Sequence, residues 1–547
     1  MEDEPTYPSF RQSLLVTISL CLTLFCVSLD ETVLATAIPR ITDQFQSLND
    51  VGWYGSSYLF VFTATQMAWG KLYTMYPAKW VFLTGVTVFE VGSLVCGVSP
   101  TSGALIAGRS IAGLGAGSIN AGAVLIISNT IPVQKRPIYL GCLGVVHGVV
   151  SVLGPVIGGL LTDHASWRWC FFLNLPIGAI TVLGIVFCLS TNQPSAGHLS
   201  GKEKLRSMDL LGSAFFIPGI LMLLLALEWG GSQYAWDSWR VILLFVLSAV
   251  ALAVFAVVQV RAPEKATIAP RLVTNRNMLG LIGYIVGNSG GLFVFVYYLP
   301  IWLQAIKEFS ASKSGLAILP TQLGMVAASL AGGILVTVVR YYTPFLIVSS
   351  LLAVAGAGLL SSLHPASGLG SILGYQVVLS VGIGLGAQNA MVVPSVVCAP
   401  GDVVMAIATL CFLQMLSSSI ALTLAQTVFH SRLVTNLAHR APSVDSALVE
   451  QGATRLRDRV PADLLPSVVG AYSQAVSETF YVGVAMCALS LLGSASMQWK
   501  RVPGHKEATE KVEGEGQGQG QQQEQDQGQG WGEVGESHAL AHPTADK

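Results

Sequence analysis

Runs of about twenty apolar residues recur from Leu14 to Met497, and no other feature of the chain limits its architecture so severely. Hydrocarbon offers no partner to a backbone N–H or C=O, so each run has to be a helix that crosses the bilayer. A ruler of ~20 residues per crossing gives about fourteen spans. The first eight lie near Leu14 to Ile38, Val51 to Trp69, Trp80 to Val98, Ala104 to Ile127, Ile138 to Leu161, Trp169 to Leu189, Leu210 to Leu227 and Val241 to Val260. The other six lie near Met278 to Trp302, Leu316 to Val339, Phe345 to Leu363, Ile372 to Val393, Val403 to Phe429 and Phe480 to Met497. The predicted class is an all-α membrane protein. Of 547 residues only 11% are charged while 52% are apolar, a balance foreign to a water-soluble fold of this length.

Lys and Arg test the count, because short cytosolic loops hold most of them. Loops after even-numbered spans carry Lys71, Lys79, Lys135, Arg136, Lys202, Lys204, Arg206, Arg261, Lys265, Arg271, Arg276 and Arg340; short loops after odd-numbered spans carry Arg40, Arg168, Arg240, Lys307 and Lys313. The alternation predicts that both termini are cytosolic. Ala35-Thr36-Ala37 imitates a signal-peptidase site, but the leader is acidic and the apolar run continues to Ile38, so an uncleaved first helix is expected.

The chain repeats itself. GKLYTMYPAKWVFL from Gly70 matches GILVTVVRYYTPFL from Gly333 at Gly, Leu, Thr, Phe and Leu, and GLGA at Gly113 to Ala116 returns at Gly384 to Ala387. Two echoes in the same order predict a duplicated unit of about six spans. The expected segments are a cytosolic tail 1–12, a six-helix bundle 13–190, a cytosolic linker 191–276 holding inserted spans seven and eight, a second six-helix bundle 277–499 with a long outer loop 431–477, and a cytosolic tail 500–547. Leu448, Leu456, Leu464 and Leu465 suggest two short amphipathic helices in the outer loop. The Gly/Gln/Glu-rich tail lacks the apolar content to fold, and no chemistry is assigned to it.

Several function classes drop out. Net charge is −1, which gives no bulk field for nucleic acid. The nine cysteines show no CxxC or metal-ligand spacing and read as buried small hydrophobes. Neither a P-loop nor HExxH occurs in the sequence, so neither ATP-driven export nor a membrane enzyme is expected, and no cofactor or metal.

GKLYTMYPAKW, ALIAGRSIAGLGAG, VLGPVIGG, SWRWCFFLNLPIG and LDETVLATAIP together resemble the signature set of the fourteen-span drug:proton antiporters of the major facilitator superfamily. The chain is similar to fungal toxin and multidrug efflux carriers of that group, including relatives of the HC-toxin and aflatoxin efflux pumps. The resemblance covers spans one to fourteen. It implies the major facilitator fold, two six-helix bundles plus two inserted helices, and proton-coupled export of small organic molecules by a monomer in the plasma membrane. It also implies conformational roles for Gly70 and Lys71 and for Gly154, Pro155, Gly158 and Gly159, and a part in proton transfer for Arg109. Thr74 stands where the family has an acid, and Lys71 and Lys79 are a thinner basic cluster than usual, which weakens the case for a charge-relay gate there.

An ionisable side chain at mid-membrane costs ~2.5 to 3.5 kcal/mol on insertion scales, so each needs a reason. Asp30 and Glu31 fall in span one, Glu90 in span three, Arg109 in span four and His147 in span five, while spans nine to thirteen hold no acid. A proton carrier should therefore lie in the first bundle. Asp30 is the leading candidate, with Arg109 as the fixed charge beside it: a nearby cation favours the ionised form, burial the neutral one, and movement can switch the balance. A packing role for the Arg109 pair is the bland alternative. Glu31, turned about 100° from Asp30, is expected at the outer headgroups. Glu90 and His147 stay on the coupling list, although packing explains a lone buried Glu or His more simply.

Pro155 removes a helix hydrogen bond and the fifth-span glycines let backbones approach, so a bend next to the cavity or simple packing both fit. Gln66, Asn120, Asn288, Gln388 and Asn389 are expected to line the cavity together with Phe293 and Tyr297, and Gln304 and Gln414 are further candidates. Trp302 and Trp239 are expected in the interfacial belt. Few charges and many rings suit a neutral or amphipathic organic molecule. Two other functions compete: vacuolar or plasma-membrane transport of basic amino acids or siderophores, and a non-transporting sensor.

Overall fold

A computed structural model of the protein describes residues 9–45, 50–132, 135–189, 209–231, 234–262, 266–268, 270–309, 311–387, 389–399, 402–441 and 464–501. Long helices dominate. They are α1 Phe10–Phe45, α2 Val51–Met75, α3 Ala78–Val98, α4 Ser102–Thr130, α5 Arg136–His164, α6 Asn174–Cys188, α7 Leu210–Trp229 and α8 Trp239–Arg261. After these come α9 Arg276–Lys307, α10 Ala311–Val339, α11 Thr343–Ser361, α12 Leu369–Ala387, α13 Val403–Arg440 and α14 Leu465–Ser496. Among the described residues twelve helices are long and apolar enough to cross a membrane. The other two long helices, α2 and α5, have 25 and 29 residues.

Packing makes the internal repeat visible. α1 packs on α5 and α6, α2 on α4, and α3 on α4 and α6; α9 packs on α13 and α14, α10 on α12, and α11 on α12 and α14. Each pairing in the first set recurs in the second with eight added to the helix number. The broad contacts between the sets, α5 with α10 and α2 with α13, exchange under the same relation, as a pseudo-twofold requires. The GLGA echo has a matching physical role in each set. A Cβ on Gly113 would strike the Tyr58 backbone of α2, and one on Gly384 the Met325 backbone of α10, so glycine sets how closely α4 and α12 approach these helices.

The inserted helices α7 and α8 pack on each other, and α7 lies against α2 and α13. Phe216 bridges them, 4.8 Å from Phe255 and 5.2 Å from Phe412 between ring centroids. Asp209 caps α7 by accepting from Gly212 N at 2.7 Å. Its carboxylate also accepts from Gln259 at the end of α8 and from Thr267 Oγ1 at 2.9 Å. The link from α8 to the second set is thereby tied to the start of α7.

Two boundaries and one side chain depart from expectation. The thirteenth helix continues to Arg440 and the last begins at Leu465, so both ends of the expected outer loop are helical. Leu448 and Leu456 lie outside the described residues, as does the tail from 502. Trp302 is fully buried with Nε1 donating to Ser473 Oγ at 3.0 Å, a core residue rather than an interfacial one, whereas Trp239 is exposed. An indole whose N–H finds a partner inside has no need of the headgroup layer. All nine cysteines are free, and five are buried.

Candidate functional site

Two ends of the molecule behave differently. At the end where α1 begins and α14 finishes, one buried apolar cluster runs through both sets, joining Phe62, Tyr73 and Ile127 to Met278, Val336, Met405 and Phe412. At the far end the cores are separate. One holds Leu29, Val33, Tyr54, Trp167 and Phe171 of the first set; the other holds Phe295, Tyr298, Trp302, Tyr472 and Phe480 of the second. Contacts between the sets agree: Gly70 of α2 closes on Ala408 of α13, and Gly141 and Gly148 of α5 close on Leu330 and Val326 of α10. The sets therefore meet at the near end.

Asp30 of α1 and Arg109 of α4 are brought together as an ion pair between Oδ2 and Nη1, each side chain 1% exposed. Arg109 Nε donates to the Tyr54 carbonyl at 2.8 Å, and its guanidinium lies 4.4 Å over the Tyr58 ring. Asn174, at the start of α6, lies beside the carboxylate and donates to Ser93 Oγ at 3.2 Å. The guanidinium is thus held by a carboxylate, a carbonyl and a ring, as a buried charge demands, while Asp30 Oδ1 is buried without a hydrogen-bond partner. Arg109 is seven residues into α4, about 10 Å from its start, so the pair sits toward the far end rather than at mid-depth. Tyr54, Tyr58 and Asn174 escaped the sequence reading. Asn174 was legible in principle, inside the quoted motif SWRWCFFLNLPIG; Tyr54 and Tyr58, one turn apart, carried no distinguishing signal.

The remaining acids do not join that pair. Glu90 projects from α3 against Gly178 of α6, where a Cβ would overlap its Oε1, and its Oε2 is buried without a hydrogen-bond partner. Glu31 is exposed. His147 is half-buried on α5 beside the Gly148 approach to α10, with Nδ1 3.3 Å from the Leu143 carbonyl.

Lys71 Nζ donates to the Ala266 carbonyl at 3.3 Å, tying α2 to the segment after α8. Lys79 Nζ donates to the Val186 and Leu189 carbonyls at 2.7 and 2.9 Å, which caps the end of α6. The two lysines act as separate clasps, with no acid at Thr74 to link them. Gly154 closes on Thr32 of α1, Gly158 O lies 4.0 Å from Cys170 Sγ, and Gly159 faces open space. α5 runs as one helix through Pro155.

Of the expected cavity residues, Gln66 of α2 is fully buried with neither amide atom partnered. Asn288 and Asn389 are buried with Oδ1 unpartnered, although Asn389 Nδ2 donates to the Leu385 carbonyl at 2.7 Å. Asn120 is half-buried, and Phe293 and Tyr297 are exposed one turn apart on α9. Gln388 lies outside the described residues.

Two helix sets related by a pseudo-twofold, joined at one end and with separate cores at the other, the first set holding a buried ion pair, define a two-bundle membrane transporter. The chain belongs to the major facilitator superfamily, whose family model matches residues 20–422. It is 48% identical to the efflux pump roqT of Penicillium rubens over 90% of this chain and 92% of that protein. It is 45% identical to the MFS-type transporter astH of Aspergillus oryzae, over 92% and 90%, and 44% identical to the MFS-type efflux pump MFS1 of Trichophyton rubrum, over 89% and 91%. Among solved structures the fold is similar to the proton:xylose symporter XylE, with TM-score 0.59, 13% identity and coverage of 91% and 98%. It is also similar to the human organic anion transporter MFSD10, with TM-score 0.52, 15% identity and coverage of 88% and 100%.

Proposed function

We propose that the chain is a fourteen-span, proton-coupled exporter of small amphipathic organic molecules, working as a monomer in the plasma membrane with both termini cytosolic. The observation that carries this reading is the asymmetry of the ends. Helix sets sealed at the near end and parted at the far end describe a carrier caught with one side open, here the outer side. Export by relatives at 43–48% identity supports the direction. α2 and α5 count as crossings because each forms a principal contact between the sets.

The opposite state follows from the same helices. The register set by Gly141 on Leu330 and Gly148 on Val326 runs antiparallel. Carried toward the far end, it brings the second half of α5 level with the first half of α10, the pair of helices that closes there. Gln66, Asn288 and Asn389 gain water or cargo when the near end opens, which accounts for their unpartnered amide atoms. Asp30 carries the proton, and Arg109 holds or releases its charge as α1 and α4 shift.

Purified protein in liposomes with an imposed proton gradient tests the reading. Gradient-dependent movement of a fluorescent amphipathic dye is expected; equal movement with and without the gradient refutes proton coupling, and no movement refutes transport of this class.

A further inference from the structure

We propose that Glu90 is a second proton-carrying group, exchanging its proton with Asp30 through water held in a closed wedge among α1, α3 and α6; this rests on the proton-coupled reading above and names the path inside the first set. α6 meets its two neighbours through glycines. A Cβ on Gly178 would fall on the Glu90 carboxyl of α3, and one on Gly184 on the Ser19 hydroxyl of α1. At about 100° per residue Asn174 and Thr181 point between those two directions, into the wedge. Asn174 Nδ2 donates to Ser93 Oγ at 3.2 Å, one turn beyond Glu90 on α3, which fixes the register. α1 and α6 run antiparallel, so Asp30, eleven residues past Ser19, stands level with Asn174, ten before Gly184, and turns the same way as Ser19.

The wedge holds oxygens and too few hydrogens. Asp30 Oδ1, Asn174 Oδ1, Glu90 Oε2 and Thr181 Oγ1 are each buried without a hydrogen-bond partner. Asn174 to Thr181 is about 10 Å of helix, and the threonine hydroxyl is the one donor among the four atoms. Water or a carboxyl proton has to supply the rest. Glu90 lies twelve residues into α3, near mid-depth, with no ion-pair partner among the described residues. On the sides that meet this seam, α1 brings Cys26 and Asp30, the α3–α4 contact brings Cys96 and Arg109, and α6 brings no titratable group before Cys188 at its end; Arg168 is bonded to the Ser99 carbonyl at the far end. Only Arg109 is a nearby cation, and Asp30 holds it. In this conformation the cation keeps Asp30 ionised, and the proton rests on Glu90. When α1 and α4 shift, a water takes the Glu90 proton and gives one to Asp30, so that Glu90 becomes the carboxylate and Asp30 the acid, with proton and charge conserved. Thr181 continues the file one turn toward the near end, the way out for the proton.

The test uses full-length protein in liposomes and radiolabelled ethidium, with two readouts: accumulation driven by a proton gradient, and exchange against unlabelled ethidium with no gradient. Glu90→Gln should slow the driven movement about a hundredfold, the scale for losing a proton-transferring group, and leave exchange at the wild-type rate. Glu90→Asp, which keeps the acid, should restore part of it. In infrared spectra of the detergent-solubilised wild type a deuterium-sensitive carbonyl band of a protonated carboxyl should be present, and absent in Glu90→Gln. Full driven movement by Glu90→Gln, loss of exchange together with it in folded protein, or an unchanged band overturns the relay. Should Glu90→Gln not fold, Thr181→Val decides: driven movement slowed about fivefold, the worth of one hydrogen bond, with exchange intact is expected, and an unchanged rate overturns the path. Failure of the wild type to respond to the gradient refutes proton coupling itself, while the band still decides whether Glu90 holds a proton.

Discussion

Removing one member of the Asp30–Arg109 pair separates a coupling role from a structural one. Arg109→Ala strands a carboxylate among packed side chains, a loss of ~3–5 kcal/mol for a buried pair. It also removes the bond to the Tyr54 carbonyl, worth ~1 kcal/mol, and the stacking on Tyr58, worth ~0.5–2 kcal/mol. Protonation of the stranded Asp30 relieves its charge, so the total should settle near ~4 kcal/mol. Asp30→Asn keeps the shape but leaves a guanidinium that cannot shed its proton, at a loss of ~3–5 kcal/mol. The double variant Asp30→Asn/Arg109→Gln replaces two charges with two amides and should lie within ~1–2 kcal/mol of the wild type. Thermal unfolding in detergent closes the cycle, with an expected coupling of at least ~2 kcal/mol. Export by the same proteins in liposomes then decides the role. A structural pair predicts that the double variant regains both stability and gradient-driven export; a coupling pair predicts regained stability without it. Full gradient-driven export by Asp30→Asn, or by the double variant, refutes the assignment of Asp30.

Three further outcomes follow from the packing. Gly70→Leu drives a side chain into Ala408 and should prise the near end open, read as faster maleimide labelling of the buried Cys411, mapped by mass. Asp209→Ala leaves Gly212 N, Gln259 and Thr267 without their acceptor and should cost ~3 kcal/mol in thermal unfolding, with Asp209→Asn recovering part of it. Gly115→Val sets methyl groups against the Phe89 backbone and should destabilise by ~3 kcal/mol or more, seen as lost monodisperse protein, because the obstacle is main chain and cannot rotate away.

Much of the fold was legible because lipid imposes one rule on every span. Apolar length marked the helices, and the GLGA echo identified the duplicated unit through glycines whose packing roles turned out to match. The Asp30–Arg109 pair was inferable because a buried charge in either helix needs a partner, and few existed. Other features were hidden for physical reasons. Trp302 carries no mark in the sequence that separates a buried indole from an interfacial one; that depends on Ser473, 171 residues away, reaching its N–H. Asp30 and Glu31 are neighbours in sequence, yet the first is sealed and the second open, because about 100° of helix turn gives them different surroundings. Hydropathy also drew the last span too short, because Ser473 and Ser477 bond to Trp302 and to the Leu363 carbonyl on other elements and Gln474 bonds Glu478 one turn on, so this polar stretch stays helical.

The near end is closed without being locked. Its seam is made of apolar side chains and glycine contacts, Gly70 on Ala408 and Gly148 on Val326, which separate without breaking a charge pair. The Arg271–Asp402 ion pair beside it joins the linker to α13, but the arginine is 73% exposed, so the pair is worth little. Against the seam stand the amides of Gln66, Asn288 and Asn389, each holding a buried atom without a partner at ~1–3 kcal/mol apiece. Opening to water would repay those penalties. A seam that gains from apolar contact and loses through stranded amides keeps the closed and open forms of the near end close in free energy, which a carrier that visits both requires.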